Sequence, residues 1–178
     1  MKNTVLKMLF VVTCLLSCQE KIKEATNATN ETNTTPKIKT MTKEDAIKLV
    51  KPFYDFLGGD ATVEEVQPSY HDDWKSFYDN SGARTMEETV GFVSGPLAEM
   101  IPDLKWKIME VYVNEESIVV RGEATGTPVG ASFMGTPITG GKSFKFMSID
   151  IHELEGEKIK RTYHIEDWLS AIQQVSTN

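Results

Sequence analysis

Within the segment from Phe144 to Asp167, Asp150, His152, Arg161, Tyr163 and Asp167 are of the residue types that acid–base chemistry on a small molecule requires. Lys142 to Leu154 and Lys158 to Ile165 read as strands, with Gly156-Glu157 as the turn between them. A turn through those two residues alone pairs Glu155 with Lys158, and alternation then pairs His152 with Arg161, Asp150 with Tyr163 and Phe146 with Asp167. One face therefore carries Phe144, Phe146, Asp150, His152, Arg161, Tyr163 and Asp167, and the other carries Met147, Ile149, Ile151, Thr162, His164 and Glu166. Apolar walls raise a carboxyl pKa toward the range where it exchanges protons, so the first face suits a pocket.

Each candidate has a plainer use. Asp167 also fits the N-cap of a closing helix, Asp150 a salt-bridge partner or satisfied buried carboxylate, and His152 the end of a hairpin near Arg161. His152 and Asp167 stand roughly 20 Å apart at the usual strand rise, too far for a dyad, whereas Asp150 and His152 can cooperate. His71, in a loop-like run before Trp74, is a candidate to line the cavity, and His164 falls on the outer face as an interface or surface residue. The histidines lack HxH or HxxxH spacing, which argues against a metal site. No GxGxxG opens a helix and no GxSxG is present, so no cofactor is expected.

The elements that must hold these residues come in two blocks. Thr42 caps a helix with Ala46, Ile47, Val50, Phe53, Tyr54 and Leu57 at helical spacing, ending at Gly58-Gly59, with Pro52 expected to kink it. A short helix follows over Thr62 to Val66, and Thr85-Met86-Glu87-Glu88 is a capping box opening another, interrupted at Gly95-Pro96. Strands then run over Leu104 to Val113 and Ser117 to Gly126, before the hairpin and a final turn or helix from Asp167 to Gln174. Helices first and a strand meander afterwards indicate an α+β domain with helices on one face of a curled antiparallel sheet.

Residues 42–178 form that domain. Ahead of it, Lys2 and Lys7 precede an apolar run from Met8 to Leu16 that is too short to span a bilayer, the pattern of a secretion signal over residues 1–17. Leu15-Leu16-Ser17-Cys18 has the form of a lipobox, which makes Cys18 a lipidation site and places the protein in a bacterial cell envelope, anchored to a membrane. Residues 18–41, rich in Asn, Thr, Lys and Glu, read as a flexible tether. With Cys14 in the signal and Cys18 lipidated, no thiol is left for disulfides, nucleophiles or thiolate metal sites. The formal net charge of −7 makes nucleic acid an unexpected partner.

Between the two strand blocks lies Thr125 to Phe144, with its glycines, Phe133-Met134 and Pro137. Pro102-Asp103-Leu104, Val120-Arg121-Gly122, Gly126-Thr127, Phe133-Met134-Gly135, Thr139-Gly140, Ile149-Asp150-Ile151-His152 and Asp167 to Gln174 follow in order. This order resembles the SnoaL-like polyketide cyclase family of the nuclear transport factor two superfamily, over about Thr42 to Val175. The resemblance implies a cone-shaped, curled antiparallel sheet with the N-terminal helices packed on its concave face. It implies that the glycine stretch is a rim loop on which Phe133-Met134 forms a lid or an intersubunit contact, and that the protein is a homodimer. Cyclases of the family use an aspartate near the last strand as acid and base, without metal or cofactor. That role falls on Asp167, with His152, His71 and the Tyr70 to Trp74 loop resembling pocket residues. The resulting expectation is a cofactor-free cyclase or isomerase acting on a small apolar carbonyl compound, with Tyr163, His152 or Arg161 stabilising the enolate. The alternative is a lipoprotein that binds or scavenges a hydrophobic ligand without transforming it.

Overall fold

The computed structural model describes residues 41–177. The expected signal, Cys18 and the tether up to residue 40 lie outside the described residues, while Met41 already packs against the core.

Helix α1 (Lys43–Leu57) starts where the Thr42 hydroxyl accepts the Asp45 N–H at 3.1 Å. It buries Ala46, Val50, Phe53, Tyr54 and Leu57 and runs as one element through Pro52. After α2 (Val63–Val66) and a 3-10 turn (Gln67–Ser69), the chain enters β1 (Tyr70–Phe77), so the run expected as a loop is a strand. Helix α3 (Met86–Phe92) opens on the reciprocal Thr85 and Glu88 capping box. At Gly95-Pro96 the helix widens into a π turn (Val93–Leu97) before α4 (Ala98–Met100), because Pro96 has no N–H to continue the ladder.

Strands β2 (Lys105–Val113) and β3 (Ser117–Gly126) follow, then a small hairpin of β4 (Ser132–Phe133) and β5 (Thr136–Pro137), then β6 (Phe144–Glu155), β7 (Lys158–Glu166) and α5 (Trp168–Val175). The main sheet has the order β1-β7-β6-β3-β2, antiparallel except for the parallel β1 and β7 pair. Helix α1 packs along β2 and α5 along β6. The architecture is the expected α+β one.

Strict alternation holds along β6, which buries Phe144, Phe146, Ser148, Asp150 and His152. It fails along β7. Glu153 pairs with Arg161 but the next residue, Leu154, pairs with Ile159, so Lys160 is an extra residue. A one-residue bulge reverses every side chain beyond it. Thr162, His164 and Glu166 therefore join Asp150 and His152 on the inner face, while Arg161 and Tyr163 turn outward. Charge pins the bulge: the Lys160 ammonium lies 2.7 Å from Asp73 on β1 and 3.3 Å from Glu155 on β6.

The glycine stretch is also tied down. Met134 and Gly135 both adopt positive φ, 47° and 81°, the left-handed pair that a tight two-residue hairpin turn needs. The turn sends Phe133 into the core, stacked 5.8 Å from Phe144, and leaves Met134 exposed. Phe133 is thus interior packing rather than a lid.

Candidate functional site

The inner face is spanned by one hydrogen-bonded chain whose direction follows from donor chemistry. An indole N–H can only donate. Trp74 gives its Nε1–H to the Thr162 hydroxyl at 3.0 Å, and that hydroxyl is 3.1 Å from His152 Nδ1. The opposite ring atom, Nε2, is 3.1 Å from the Tyr54 hydroxyl, which donates to Asp150 Oδ2 at 2.7 Å. The partners thereby assign a neutral His152 protonated on Nε2. Complete burial agrees, pushing its pKa down to about 4. Burial, reinforced by Asp150, holds the Tyr54 phenol well above its ordinary value.

Asp150 has a second side. Its Oδ1 receives His164 Nδ1 at 2.8 Å, and His164 Nε2 meets the Ser76 hydroxyl at 3.0 Å. The Tyr78 ring stacks on His164 at 4.5 Å. On the next inward position of β7, Glu166 is half-buried, and its Oε2 accepts the Trp168 indole N–H at 2.6 Å. Burial pushes the Glu166 carboxyl up to about 7, with Asp150 adding to the rise and His164, Trp168 and Arg84 opposing it. Its neighbours Tyr78, Arg84, Trp106 and Trp168 are half-buried too, so this end of the inner face forms a rim, unlike the closed Trp74 end. Trp106 reaches over β3 because residue 122 is glycine: a Cβ there would stand 2.5 Å from the Ser148 hydroxyl and 3.1 Å from the Trp106 indole nitrogen.

The residues singled out from the sequence divide accordingly. Asp150, His152, Trp74, Phe144, Phe146 and Phe133 are buried inside, Trp74 and His152 as links of the chain. Asp167 is exposed: its carboxylate caps α5, accepting the Ser170 N–H at 3.0 Å and the Ser170 hydroxyl at 2.6 Å, and those bonds lower its pKa. Arg161 pairs with Glu153 on the outer face at 3.1 Å, and Tyr163 stacks there on Phe77 at 4.9 Å. His71 sits by the β6–β7 turn, 3.0 Å from the Glu155 carbonyl oxygen. Both Glu166 and His164, which take inner positions, were assigned outward by an unbroken register. Tyr54 had a signal, since a phenol on the buried stripe of a helix needs a polar partner.

Donor atoms of Asp150, His164 and Glu166 lie within 4.8 Å of one another, a spacing that one divalent cation can bridge. In this arrangement His164 and Asp150 instead satisfy each other directly. A separate cavity of about 150 Å³ lies between the end of α1 and the π turn, with Phe56, Leu57, Val93, Ser94, Leu97 and Ile101 among its lining residues. It shares no lining residue with the polar constellation.

The profile of the SnoaL-like polyketide cyclases matches residues 49–175. Among solved structures, a SnoaL-like polyketide cyclase from Jannaschia aligns at 19% identity and a TM-score of 0.63, covering 76% of this chain and 94% of its own. TsrD from Streptomyces laurentii aligns at 18% identity and a TM-score of 0.63, over 75% of this chain and 96% of its own. A Catenulispora acidiphila protein described as having a ketosteroid isomerase-like fold, in complex with trimethylamine, aligns at 15% identity and a TM-score of 0.57, over 72% of this chain and 92% of its own. At such identities the likeness speaks for the fold. No curated protein matches the sequence.

Proposed function

We propose, because this chain belongs to the SnoaL-like polyketide cyclase family, that its rim constellation is a cofactor-free acid–base site acting on a small carbonyl compound. The family supports a cyclase or isomerase type of enzyme. The observation that carries the residue assignment is Glu166, a half-buried carboxyl at the open end of the inner face, shifted to about 7. A base poised there takes and returns protons near neutral pH.

In the proposed reaction the Glu166 carboxylate removes a proton from the carbon beside the carbonyl, and the electrons of the broken C–H bond move onto the carbonyl oxygen. The enolate then attacks a second carbonyl of the same molecule, whose π electrons move to its oxygen and take the proton back from Glu166, or the enolate itself takes that proton back at another carbon. Tyr78, whose phenol burial holds up at about 12, and the Trp106 indole N–H, bound only loosely to Ser148 at 3.4 Å, are the rim donors available to the enolate oxygen. Asp150 and His164 act as positioning residues, since His164 underlies the Tyr78 ring. Asp167 serves this account as a helix cap rather than as the base.

Deuterium exchange tests the proposal. With β-tetralone as probe in D2O, wild type should speed exchange at the carbon beside the carbonyl and Glu166→Gln should lose that acceleration. Equal exchange in both would overturn it. If instead an apolar compound copurified and was returned unchanged on incubation, the binding or scavenging reading would hold.

Cys18 in its lipobox supports a lipid anchor holding the domain at a bacterial envelope membrane, to be tested by mass spectrometry of the N-terminus after membrane extraction. Exposed Met147, Ile151 and Ile165 on the outer sheet face support a homodimer, to be tested by sedimentation.

A further inference from the structure

The chain has three arginines, and two of them have obvious partners. Arg121 bonds Glu110 at 3.0 Å, and Arg161 bonds Glu153 at 3.1 Å. Arg84 pairs with no carboxylate among the described residues. Its guanidinium lies instead over two rings, 5.0 Å from the centre of Tyr78 and 4.5 Å from that of Phe92. Stacking satisfies the flat faces of a guanidinium but leaves its N–H groups, which point out along the edge, free to donate.

The position of Arg84 is fixed rather than incidental. Its backbone exchanges two hydrogen bonds with Ser76, at 2.9 and 2.8 Å, and the Ser76 hydroxyl meets His164. Tyr78 is shared between Arg84 and His164, stacking on the imidazole at 4.5 Å. The unpaired cation therefore stands one aromatic ring away from the acid–base constellation, half-buried at the same rim as Glu166. The rest of the rim is indole and phenyl surface.

We propose that Arg84 selects an anionic substrate: a carboxylate, or a comparable planar oxygen anion, on an otherwise apolar carbonyl compound, held by the edge of the guanidinium while the reacting carbon lies at Glu166. Bidentate pairing suits such a group and the flanking rings suit the apolar remainder. This inference rests on the reading of the rim as a small-molecule site, but binding alone tests it.

The full chain is titrated with naphthoate and with naphthamide, which differ in charge and little in shape, following the quenching of Trp106 and Trp168 fluorescence. Wild type should bind naphthoate about tenfold or more tightly than naphthamide, the ratio expected of one charge-assisted contact. Arg84→Met, which keeps an apolar stem between the rings, should abolish the preference by weakening naphthoate alone, and Arg84→Lys should keep part of it. Glu166→Gln should retain the preference, which separates this inference from the catalytic one. Equal affinities in wild type, failure of naphthoate to bind, a preference that survives Arg84→Met, or equal loss of both probes would overturn it.

Discussion

His152 and His164 are buried on the same face of one sheet and Asp150 stands between them, yet their surroundings differ. His152 lies in a run whose links are each occupied, from the Trp74 indole through Thr162 to Tyr54. His164 lies toward the rim, where Tyr78 and Glu166 are only half-buried. A polar network satisfied at every link rigidifies a core. The end that meets a half-buried, proton-exchanging carboxyl is where chemistry can start. In the proposed function, the closed half supports and the open half acts.

One way to sharpen this contrast is to remove the residue that the bulge accommodates. Deleting Lys160 sets Arg161 directly after the inward Ile159, so uninterrupted alternation keeps Thr162, His164 and Glu166 inward and Arg161 and Tyr163 outward, while the pairings of Lys160 with Asp73 and Glu155 are lost. The thermal unfolding temperature should fall while turnover persists. A folded variant without turnover would show that the bulge itself, and not only the parity beyond it, shapes the site.

Next comes the base itself. Glu166→Gln should lower turnover by roughly 10²- to 10⁴-fold with little change in folding. Asp167→Ala should leave turnover within about twofold while removing a cap, at about 1 kcal/mol of stability measured by urea unfolding. The reverse pattern would return the role of base to Asp167.

In the closed half, Thr162→Val strands the Trp74 N–H and His152 Nδ1 together. It should cost roughly 2–3 kcal/mol, with less effect on turnover than on stability. A larger loss of activity than of stability would mean that the closed half takes part in the reaction.

The pH dependence of stability separates the halves more finely. Glu166 is raised from 4.5 to about 7, so the folded chain keeps a proton that the unfolded chain releases. Its contribution is present at low pH, falls as pH rises from about 4.5 to 7, and is gone above, up to roughly 3 kcal/mol in all. His152 is lowered from 6.5 to about 4, so its contribution is present above 6.5 and is lost as pH falls toward 4. The two slopes oppose each other between about 4.5 and 6.5, and Glu166→Gln should expose the His152 slope alone. Unchanged pH dependence in that variant would count against the Glu166 shift. The smallest effect is expected from a chelator, which should leave β-tetralone exchange unaltered; loss on chelation and recovery with a divalent cation would favour a cation bridging Asp150, His164 and Glu166.

Much of the fold was legible because the period of a strand leaves its mark. Along β6 the alternation of Phe144, Phe146, Asp150 and His152 is unbroken, and the turn at Gly156 confirms the strand pair with its positive φ of 63°. The capping box at Thr85 and the Gly95-Pro96 break also declared themselves. The site was less legible. One extra residue at Lys160 carries no compositional mark, since its pairing with Asp73 depends on β1, a strand read from the sequence as a loop. Parity beyond that residue was therefore inverted, and Asp167 was taken for the acid that Glu166 supplies in the proposal. Gly122 held a clue, because a glycine within a strand signals close approach, here of the Trp106 indole.

The central claim can be tested without a substrate. Carbon-13 NMR of side-chain carboxyls, with Glu166→Gln to assign the resonance, reads the titration of Glu166 directly. This account predicts a midpoint near 7; a midpoint near 4.5, the ordinary value of a solvated glutamate, would contradict it.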